Sequence, residues 1–290
     1  MKPIFIVCFL FLISCKTDTK ILNISPEYEL EISKHYENLN NGRINYLELI
    51  GLHKLKNGDN TFGKSKDNRI TLEANVSEHI GNIIKKDSVL ELKLDTDVKV
   101  TTKNDVIANN QILILDEYGN SNTFYHNSIY WQIITRSGDL YLRVWDKSNP
   151  YVTAFKGFKT YPLNKKYIVN GTFEYFETEK SEEIETKLGK NTTTSFIGKV
   201  TFRINGNEHS LDVGSNGFTM VSDETSGFET YGGGRYIYLE LPKENGKVKI
   251  DFNKLYNPPC AFSDYTTCPL PTRQNIVPFK LEAGEKNKKH

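Results

Sequence analysis

The sequence has almost no net charge. Its 37 lysines and arginines nearly balance its 36 aspartates and glutamates, which leaves a formal charge of +1. A protein that binds nucleic acid needs a clustered basic face, and here the two signs alternate along the chain. The charges therefore indicate a solvated surface, and we expect no nucleic-acid partner.

The sequence also lacks an apolar run long enough to cross a membrane. Its N-terminal run extends from Ile4 to Ile13, whereas a spanning helix needs about 20 apolar residues. A lysine precedes this run and Ser14-Cys15 follows it, which is the layout of a secretory signal. A buried N-terminal helix or strand is the alternative.

The end of this segment, Leu12-Ile13-Ser14-Cys15, resembles the bacterial lipobox. The resemblance implies cleavage before Cys15 and a diacylglycerol on its thiol, with acyl chains such as palmitate that anchor the protein without a spanning helix. We therefore expect a signal peptide over residues 1–14 and a lipidated tether over 15–25. The expected location is the membrane surface outside the cytoplasm, facing the periplasm or the cell exterior.

Cysteine is scarce, with four in the chain. Cys8 would leave with the signal and Cys15 would carry lipid, so Cys260 and Cys268 remain for the mature protein. In an oxidising compartment such a pair favours a disulfide. A nucleophilic Cys260 is the alternative, although it would need a base and a reduced thiol.

Strong catalytic motifs are absent. The sequence contains no HExxH zinc helix, no phosphate-binding glycine-rich loop and no G-x-S-x-G elbow. A zinc site at the two cysteines would need two more ligands, for which His126 and His209 are available. We predict no metal and no cofactor.

What the sequence does contain is one helix followed by many strands. Ser25-Pro26-Glu27 provides a helix start and Asn40-Asn41-Gly42 a helix end, with an apolar stripe at Leu30, Ile32, Tyr36 and Leu39. The period then changes to two, in short β-branched or aromatic runs separated by Asn, Asp and Gly. We predict a mainly β fold of antiparallel sandwich or barrel-like sheets with one N-terminal helix.

The clearest hairpin covers residues 129–146, with Ser137-Gly138 at its turn. Alternation predicts an inner face made of Ile129, Trp131, Ile133, Leu140, Leu142 and Val144. Later strands are predicted at 196–204, 208–213, 218–222, 235–241, 247–252 and 277–281. The charged segment Glu177–Lys187 suggests a boundary within the β-rich region 26–286, giving halves of about 26–176 and 188–286.

Several segments resemble a bacterial family known as domain of unknown function 1684. They are "GLHKLKNGDNTFGKSKDNRITL", "TRSGDLYLRVWD", "ETYGGGRYIYLEL", "DFNKLYNPPCAFSDYTTCPLPTRQN" and "LEAGEK", so the resemblance spans about 45–286. The family has no assigned activity and contributes a pattern, not a function. Lys64 and Tyr167 depart from that pattern.

A shorter resemblance lies within "GDNTFGKSKDNRITLEANVSEHIG". Gly63-Lys64, Asn68, Ser77 and His79 are similar to the opening of a forkhead-associated domain, which reads phosphothreonine. The spacing from Ser77 to His79 is one residue short and the later Asn-Gly signature is missing. Two strands and a turn account for the same residues.

The most informative cation is Arg235, which follows three glycines at the start of a strand. Its guanidinium suits a carboxylate or phosphate. We expect either an anion site that includes Tyr231, Asp223 and Thr225, or an internal ion pair with an acid such as Asp251 or Glu285.

The proline-rich loop from Asp251 to Asn275 holds further polar side chains. Asp251, Asn253, Asn257 and Asn275 could bind a ligand or satisfy backbone groups of the loop. We predict a module that binds a small polar or anionic ligand, with a hydrolase that uses an acid or base and a structural envelope protein as the alternatives. The acid or base candidates are Asp251, Glu282 and Glu285.

Overall fold

The computed structural model describes residues 24–186, 189 and 191–288. The expected signal peptide, the lipidation site Cys15 and most of the tether lie outside these residues. No helix in the part of the chain that is described is both long and apolar enough to cross a membrane.

The described chain folds into two α-helices and fifteen strands. The helices are α1 (Pro26–Leu47) and α2 (Pro150–Ala154). The strands are β1 (Leu49–Lys54), β2 (Thr61–Gly63), β3 (Ile70–Thr71), β4 (Gly81–Lys86), β5 (Val89–Leu94), β6 (Gln111–Ile112), β7 (Phe124–His126), β8 (Ile129–Arg136), β9 (Asp139–Asp146), β10 (Ile168–Glu185), β11 (Asn191–Ile204), β12 (Asn207–Gly214), β13 (Phe218–Val221), β14 (Arg235–Tyr238) and β15 (Gly246–Asp251).

Helix α1 begins where the sequence predicts. The Ser25 hydroxyl accepts a hydrogen bond from the Tyr28 amide and Pro26 occupies the first turn, where a missing N–H costs nothing. The predicted end at Asn40-Asn41-Gly42 is wrong, because the helix continues to Leu47. Arg43 and Leu47 are buried, so tertiary contacts hold the last turn. Leu30, predicted on the buried stripe, is exposed.

The first half of the chain builds two sheets around one core. One sheet has the strand order β1-β9-β8-β7 and the other β3-β2-β4-β5-β6. The predicted hairpin is confirmed, with β8 paired to β9 and positive φ angles at Ser137 and Gly138. Its predicted inner face lines the core between the sheets. The opposite face of β8 and β9 points toward the second half.

The second half, which in the structure is taken as residues 153–288 because β10 crosses the predicted boundary, forms a sheet with the order β12-β11-β10-β15 and the two-stranded pair β13-β14. Residues 177–185 of the charged segment lie within β10, and those from Lys180 to Glu185 pair with β11 after an irregularity in the register between Tyr175 and Lys180. The strand predicted at 277–281 does not form. There Pro278 lacks a backbone donor, and the Leu281 carbonyl accepts a hydrogen bond from the Arg235 side chain.

The fold class is as predicted: mostly β, with antiparallel sheets and one long helix near the N-terminus. The described strands do not close into a barrel. The division of the β-rich region into halves stays a prediction, although two large clusters of buried side chains do occur, one within residues 55–144 and one within 167–283.

Candidate functional site

Arg235 lies at the centre of a buried hydrogen-bond network. Its Nη2 is 2.9 Å from the Asp223 Oδ2, and both side chains are fully buried. The guanidinium also donates to the backbone carbonyls of Leu281, Ala283 and Glu285. The internal ion pair therefore forms, but the expected partners Asp251 and Glu285 are wrong, because other groups occupy those carboxylates.

Asp223 serves the backbone as well as the arginine. Its Oδ1 accepts from the amides of Thr225, at 2.8 Å, and Leu281, at 3.2 Å. The Thr225 hydroxyl lies 2.8 Å from that of Thr230, so its polar atoms are satisfied internally. Tyr231 is half-buried beside this turn, and burial raises the pKa of its phenol. Binding of a ligand by these residues stays a prediction.

Asp251 ties the long helix to the second half. Its carboxylate accepts from the Tyr28 hydroxyl at 2.8 and 2.9 Å and from the Asn253 side chain. Asn253 also exchanges two hydrogen bonds with the backbone of Asn164. Burial, and then the hydrogen bond to Asp251, raises the pKa of Tyr28. The carboxylate is thus engaged by the protein itself.

Glu285 forms a second buried ion pair, with Arg43 of α1. The two guanidinium Nη atoms lie 2.8 and 2.7 Å from the two carboxylate oxygens, which is the bidentate geometry of strong arginine–carboxylate pairs. The Asn257 amide donates to the same carboxylate at 2.7 Å. Phe155, Phe158 and Phe262 surround the Arg43 guanidinium.

Asn275 and Glu282 differ in their exposure to solvent. Asn275 is fully buried, and its side chain bonds both backbone groups of Asp212 and the Met220 carbonyl. Glu282 is exposed, and its backbone amide donates to the Tyr167 hydroxyl. A catalytic role for Asp251, Glu282 or Glu285 stays a prediction, and the structure does not bring their carboxylates into one hydrogen-bonded pair.

The two cysteines form the expected disulfide, Cys260–Cys268. It closes a loop whose Thr266 hydroxyl contacts the Cys260 sulfur and donates to the Ser263 carbonyl. His209 packs against Phe202 and Phe279, away from the cysteines. Among the described residues, no group of three or more His, Cys, Asp or Glu side chains could hold a metal ion.

This loop faces the outer side of the β8–β9 hairpin across a cavity of about 270 Å³, here called the arginine pocket. The hairpin contributes Ile134, Arg136 and Arg143. The loop contributes Tyr265, Thr266, Thr267, Cys268 and Pro269, and Tyr46, Leu52, Tyr236 and Pro259 complete the lining. The loop identified in the sequence therefore borders a cavity, although its polar members at 251–257 and 275 do not line it.

Arg143 has no anionic partner within the described residues. Its guanidinium lies over the Trp145 ring at 4.8 Å, and its buried Nε has no hydrogen-bond acceptor among the residues that the structure describes. Arg136 donates to the carbonyl of Thr135. Burial, and then the neighbouring charge of Arg136, lowers the pKa of Arg143. An anion bound between the two guanidiniums would offset the repulsion between their charges.

A second groove borders the same loop on the side of α1. Its volume is about 340 Å³ and its lining includes His35, Arg43, Asn257 and Phe262. The buried Asn257 Oδ1 makes no hydrogen bond with the described residues. Because Arg43 is already paired with Glu285, this groove offers less charge than the arginine pocket.

A third cavity, of about 680 Å³, lies in the first half and is lined by polar groups. Ser77 and His126 meet there, with 3.1 Å between the Ser77 Oγ and the His126 Nε2. Sequence reasoning considered His126 as a zinc ligand and Ser77 in the forkhead-like stretch. It did not bring the two together, because they are far apart in the chain. Asn68 and His79 of that stretch bond each other.

Comparison with known proteins finds the similarity to domain of unknown function 1684 in the second half of the chain. Residues 153–286 match the model of a family described as a protein of unknown function (DUF1684). The match contains the quoted segments 229–241, 251–275 and 281–286, whereas those at 51–72 and 135–146 precede it. No curated protein matches the chain.

One solved structure with detectable similarity is the solution NMR structure of an uncharacterized protein from Haloarcula marismortui. It is 28% identical, and the alignment covers 49% of this chain and 82% of that protein, with a TM-score of 0.41.

Proposed function

We propose that this protein is an exported lipoprotein that binds a small anion in the arginine pocket. One observation carries the ligand proposal: Arg136 and Arg143 line a cavity in which, among the described residues, neither forms an ion pair. The sequence placed the anion site around Arg235, whose charge is neutralised by Asp223. We place it instead at Arg136 and Arg143, which have no such ion pair among the described residues.

The surroundings of the two guanidiniums suit a compact oxyanion. Arginine presents a planar set of donors that matches carboxylate and phosphate oxygens. Within the described part of the chain, the buried Arg143 Nε is a donor without an acceptor, and such groups are rare in folded proteins unless a ligand or water completes them. Thr267, which is half-buried, adds a hydroxyl from the disulfide loop. Inorganic phosphate and small dicarboxylates have the required size and charge.

Tryptophan fluorescence tests the proposal, because Arg143 covers Trp145. Titration with phosphate, sulfate or succinate is expected to change the emission with saturation. Arg143→Gln and Arg136→Gln should each weaken the binding about tenfold or more, since a hydrogen bond to a charged group contributes roughly 1.5–3 kcal/mol.

The matched control is Arg203→Gln, which removes an exposed arginine paired with Glu208 on β11–β12. It should leave the titration unchanged. If none of the anions changes the fluorescence, or if the control weakens binding as much as Arg143→Gln, the arginine pocket is not the binding site.

Export and lipid attachment are tested separately. The proposal rests on the lipobox-like Leu12-Ile13-Ser14-Cys15, and the Cys260–Cys268 disulfide is consistent with an oxidising compartment. Expression of the full chain in bacteria supplied with an alkyne-tagged fatty acid should label the protein and place it in the membrane fraction. Cys15→Ser should lose the label, and label that persists in this variant would contradict the proposal.

A further inference from the structure

The cavity in the first half contains a serine and a histidine in an arrangement that the arginine pocket does not use. Ser77 precedes β4 and is half-buried, and His126 is the last residue of the edge strand β7. Here the cavity is called the serine–histidine pocket. Its lining is Ser77, Asp97, Lys99, Thr101, Thr102, Lys103, Asn104, Asp105, Tyr125, His126, Asn127 and Lys147.

The hydrogen bonds of His126 determine its tautomer. The Lys99 carbonyl oxygen lies 2.9 Å from His126 Nδ1, and a carbonyl can only accept. Nδ1 therefore carries the proton in the neutral ring, and Nε2 is left as an acceptor. The Ser77 hydroxyl, 3.1 Å from Nε2, must then donate to it. A serine that donates to a histidine oriented by a second hydrogen bond is the arrangement of an activated nucleophile.

Asn127 adds a donor beside the same nitrogen. Its Nδ2 lies 3.3 Å from His126 Nε2. A positive φ of 52° at Asn127 forms the tight turn between β7 and β8, which returns the side chain over His126. Nε2 has one lone pair, so when Ser77 donates to it, the Asn127 amide is available to the oxygen of an incoming carbonyl. Such donors stabilise the oxyanion of acyl transfer.

We infer that Ser77 and His126 act as nucleophile and general base on small, polar acyl esters in the serine–histidine pocket. The Ser77 Oγ attacks the ester carbonyl carbon while its proton moves to His126 Nε2. The bond to the alcohol then breaks, and the departing oxygen takes that proton. Water attacks the acyl-serine and gives a proton to Nε2, which returns it to Ser77 as the acid leaves.

The lining indicates the substrate class. Threonine hydroxyls, asparagine amides and lysines together outnumber the carboxylates of Asp97 and Asp105, and the aromatic rings are those of Tyr125 and His126. An ester of a polar or anionic alcohol with a short acyl group fits such walls better than a long-chain lipid. Lys147 lies over the rings of Tyr125 and Tyr130, which holds its charge at the edge of the pocket.

A fluorophosphonate probe and intact mass spectrometry test the inference on the folded protein. Ser77 should form one covalent adduct, which peptide mapping assigns to that residue. Ser77→Ala should abolish the adduct, and Ser65→Ala, which alters another half-buried serine in the same half, should not. His126→Asn retains an amide near the Nδ1 position and removes the base. It should slow labelling by about 100-fold or more.

Thiol chemistry keeps the test decisive if those variants fold poorly. Ser77→Cys should react with iodoacetamide about tenfold faster than Ser65→Cys, and adding His126→Asn should remove the difference. Ser65→Ala should hydrolyse p-nitrophenyl acetate as the wild type does, and Ser77→Ala should lose this activity. The inference is overturned by an adduct on another residue, by no adduct, or by equal rates for the two cysteine variants. Anion binding in the arginine pocket is independent of each result.

Discussion

At the scale of single residues, burial decides which polar groups can meet a ligand. The sequence pattern singles out Arg235 and not Arg143, and the structure gives the two arginines opposite surroundings. Asp223 and three carbonyls engage Arg235. The Arg143 guanidinium lies over the Trp145 ring and lines the arginine pocket. The surroundings of Arg235 stabilise the fold, whereas those of Arg143 leave its positive charge available to a bound anion.

Removing Arg235 should therefore destabilise the protein. Arg235→Met leaves the buried Asp223 carboxylate unpaired, and breaking a buried pair in this way costs about 3–5 kcal/mol. We expect a loss of this size in urea denaturation, with anion binding in the arginine pocket retained in the folded fraction. Arg203→Met removes an exposed pair and should change stability by less than about 1 kcal/mol. Equal effects would contradict a structural role for Arg235.

Acid should weaken the contact between α1 and the second half through His35. Burial lowers the pKa of His35, whose Nε2 lies 3.1 Å from the Lys254 carbonyl. A histidine with a folded pKa below its unfolded value of about 6.5 binds fewer protons when folded. Its contribution is complete above that pH and is lost as the pH falls below it toward the folded pKa.

His35→Gln keeps a donor for the Lys254 carbonyl and cannot titrate. The fall in unfolding free energy between pH 7.5 and 5.5 should be smaller in this variant than in the wild type. His53 also has a pKa lowered by burial, so His53→Gln provides a comparison at a site away from α1. If the unfolding free energy of His35→Gln depends on pH as that of the wild type does, titration of His35 is not a source of the acid sensitivity.

At the scale of elements, the disulfide loop links stability to the arginine pocket. Closing a loop of about nine residues stabilises by about 2.5 kcal/mol in the chain-entropy model. The double variant Cys260→Ser/Cys268→Ser should lose stability of that order by chemical denaturation. It should also bind phosphate more weakly, because Thr267 and Cys268 line the pocket. Loss of stability with unchanged affinity would show that the loop does not shape the site.

The elements also show which features the sequence can predict. The β8–β9 hairpin was predictable because its alternation and its Ser137-Gly138 turn are both local. The end of α1 was not, because Arg43, which holds the last turn, pairs with Glu285, 242 residues further along the chain. The partner of Arg235 was likewise undetermined, since several acids were available and only the fold selects Asp223.

At the scale of the whole molecule, the segment from Leu281 to Lys286 connects distant parts. Its carbonyls accept from Arg235, its Glu285 carboxylate accepts from Arg43, and its Gly284 carbonyl accepts from the Tyr161 amide. Backbone bonds also join Glu285 to Leu255 and Lys286 to Lys159. This short segment therefore provides acceptors for two buried cations and forms backbone hydrogen bonds with two further parts of the chain, residues 159–161 and Leu255.

Truncation should expose this dependence. A chain that ends at Lys280 would leave Arg43 and Arg235 without most of their acceptors, and we expect no cooperative unfolding transition by circular dichroism. A chain that ends at Asn287 retains every one of these bonds and should melt within a few degrees of the full chain. A folded, stable protein ending at Lys280 would contradict the role given to the segment.

The pairing of Arg43 with Glu285 also sets an order of events during synthesis. The helix that carries Arg43 is made before its carboxylate partner, which lies 242 residues further along the chain. Until then the guanidinium must stay hydrated, so the final packing of α1 is a late step. If the chain is exported as proposed, the contact between Arg43 and Glu285 cannot form until both residues have passed through the membrane.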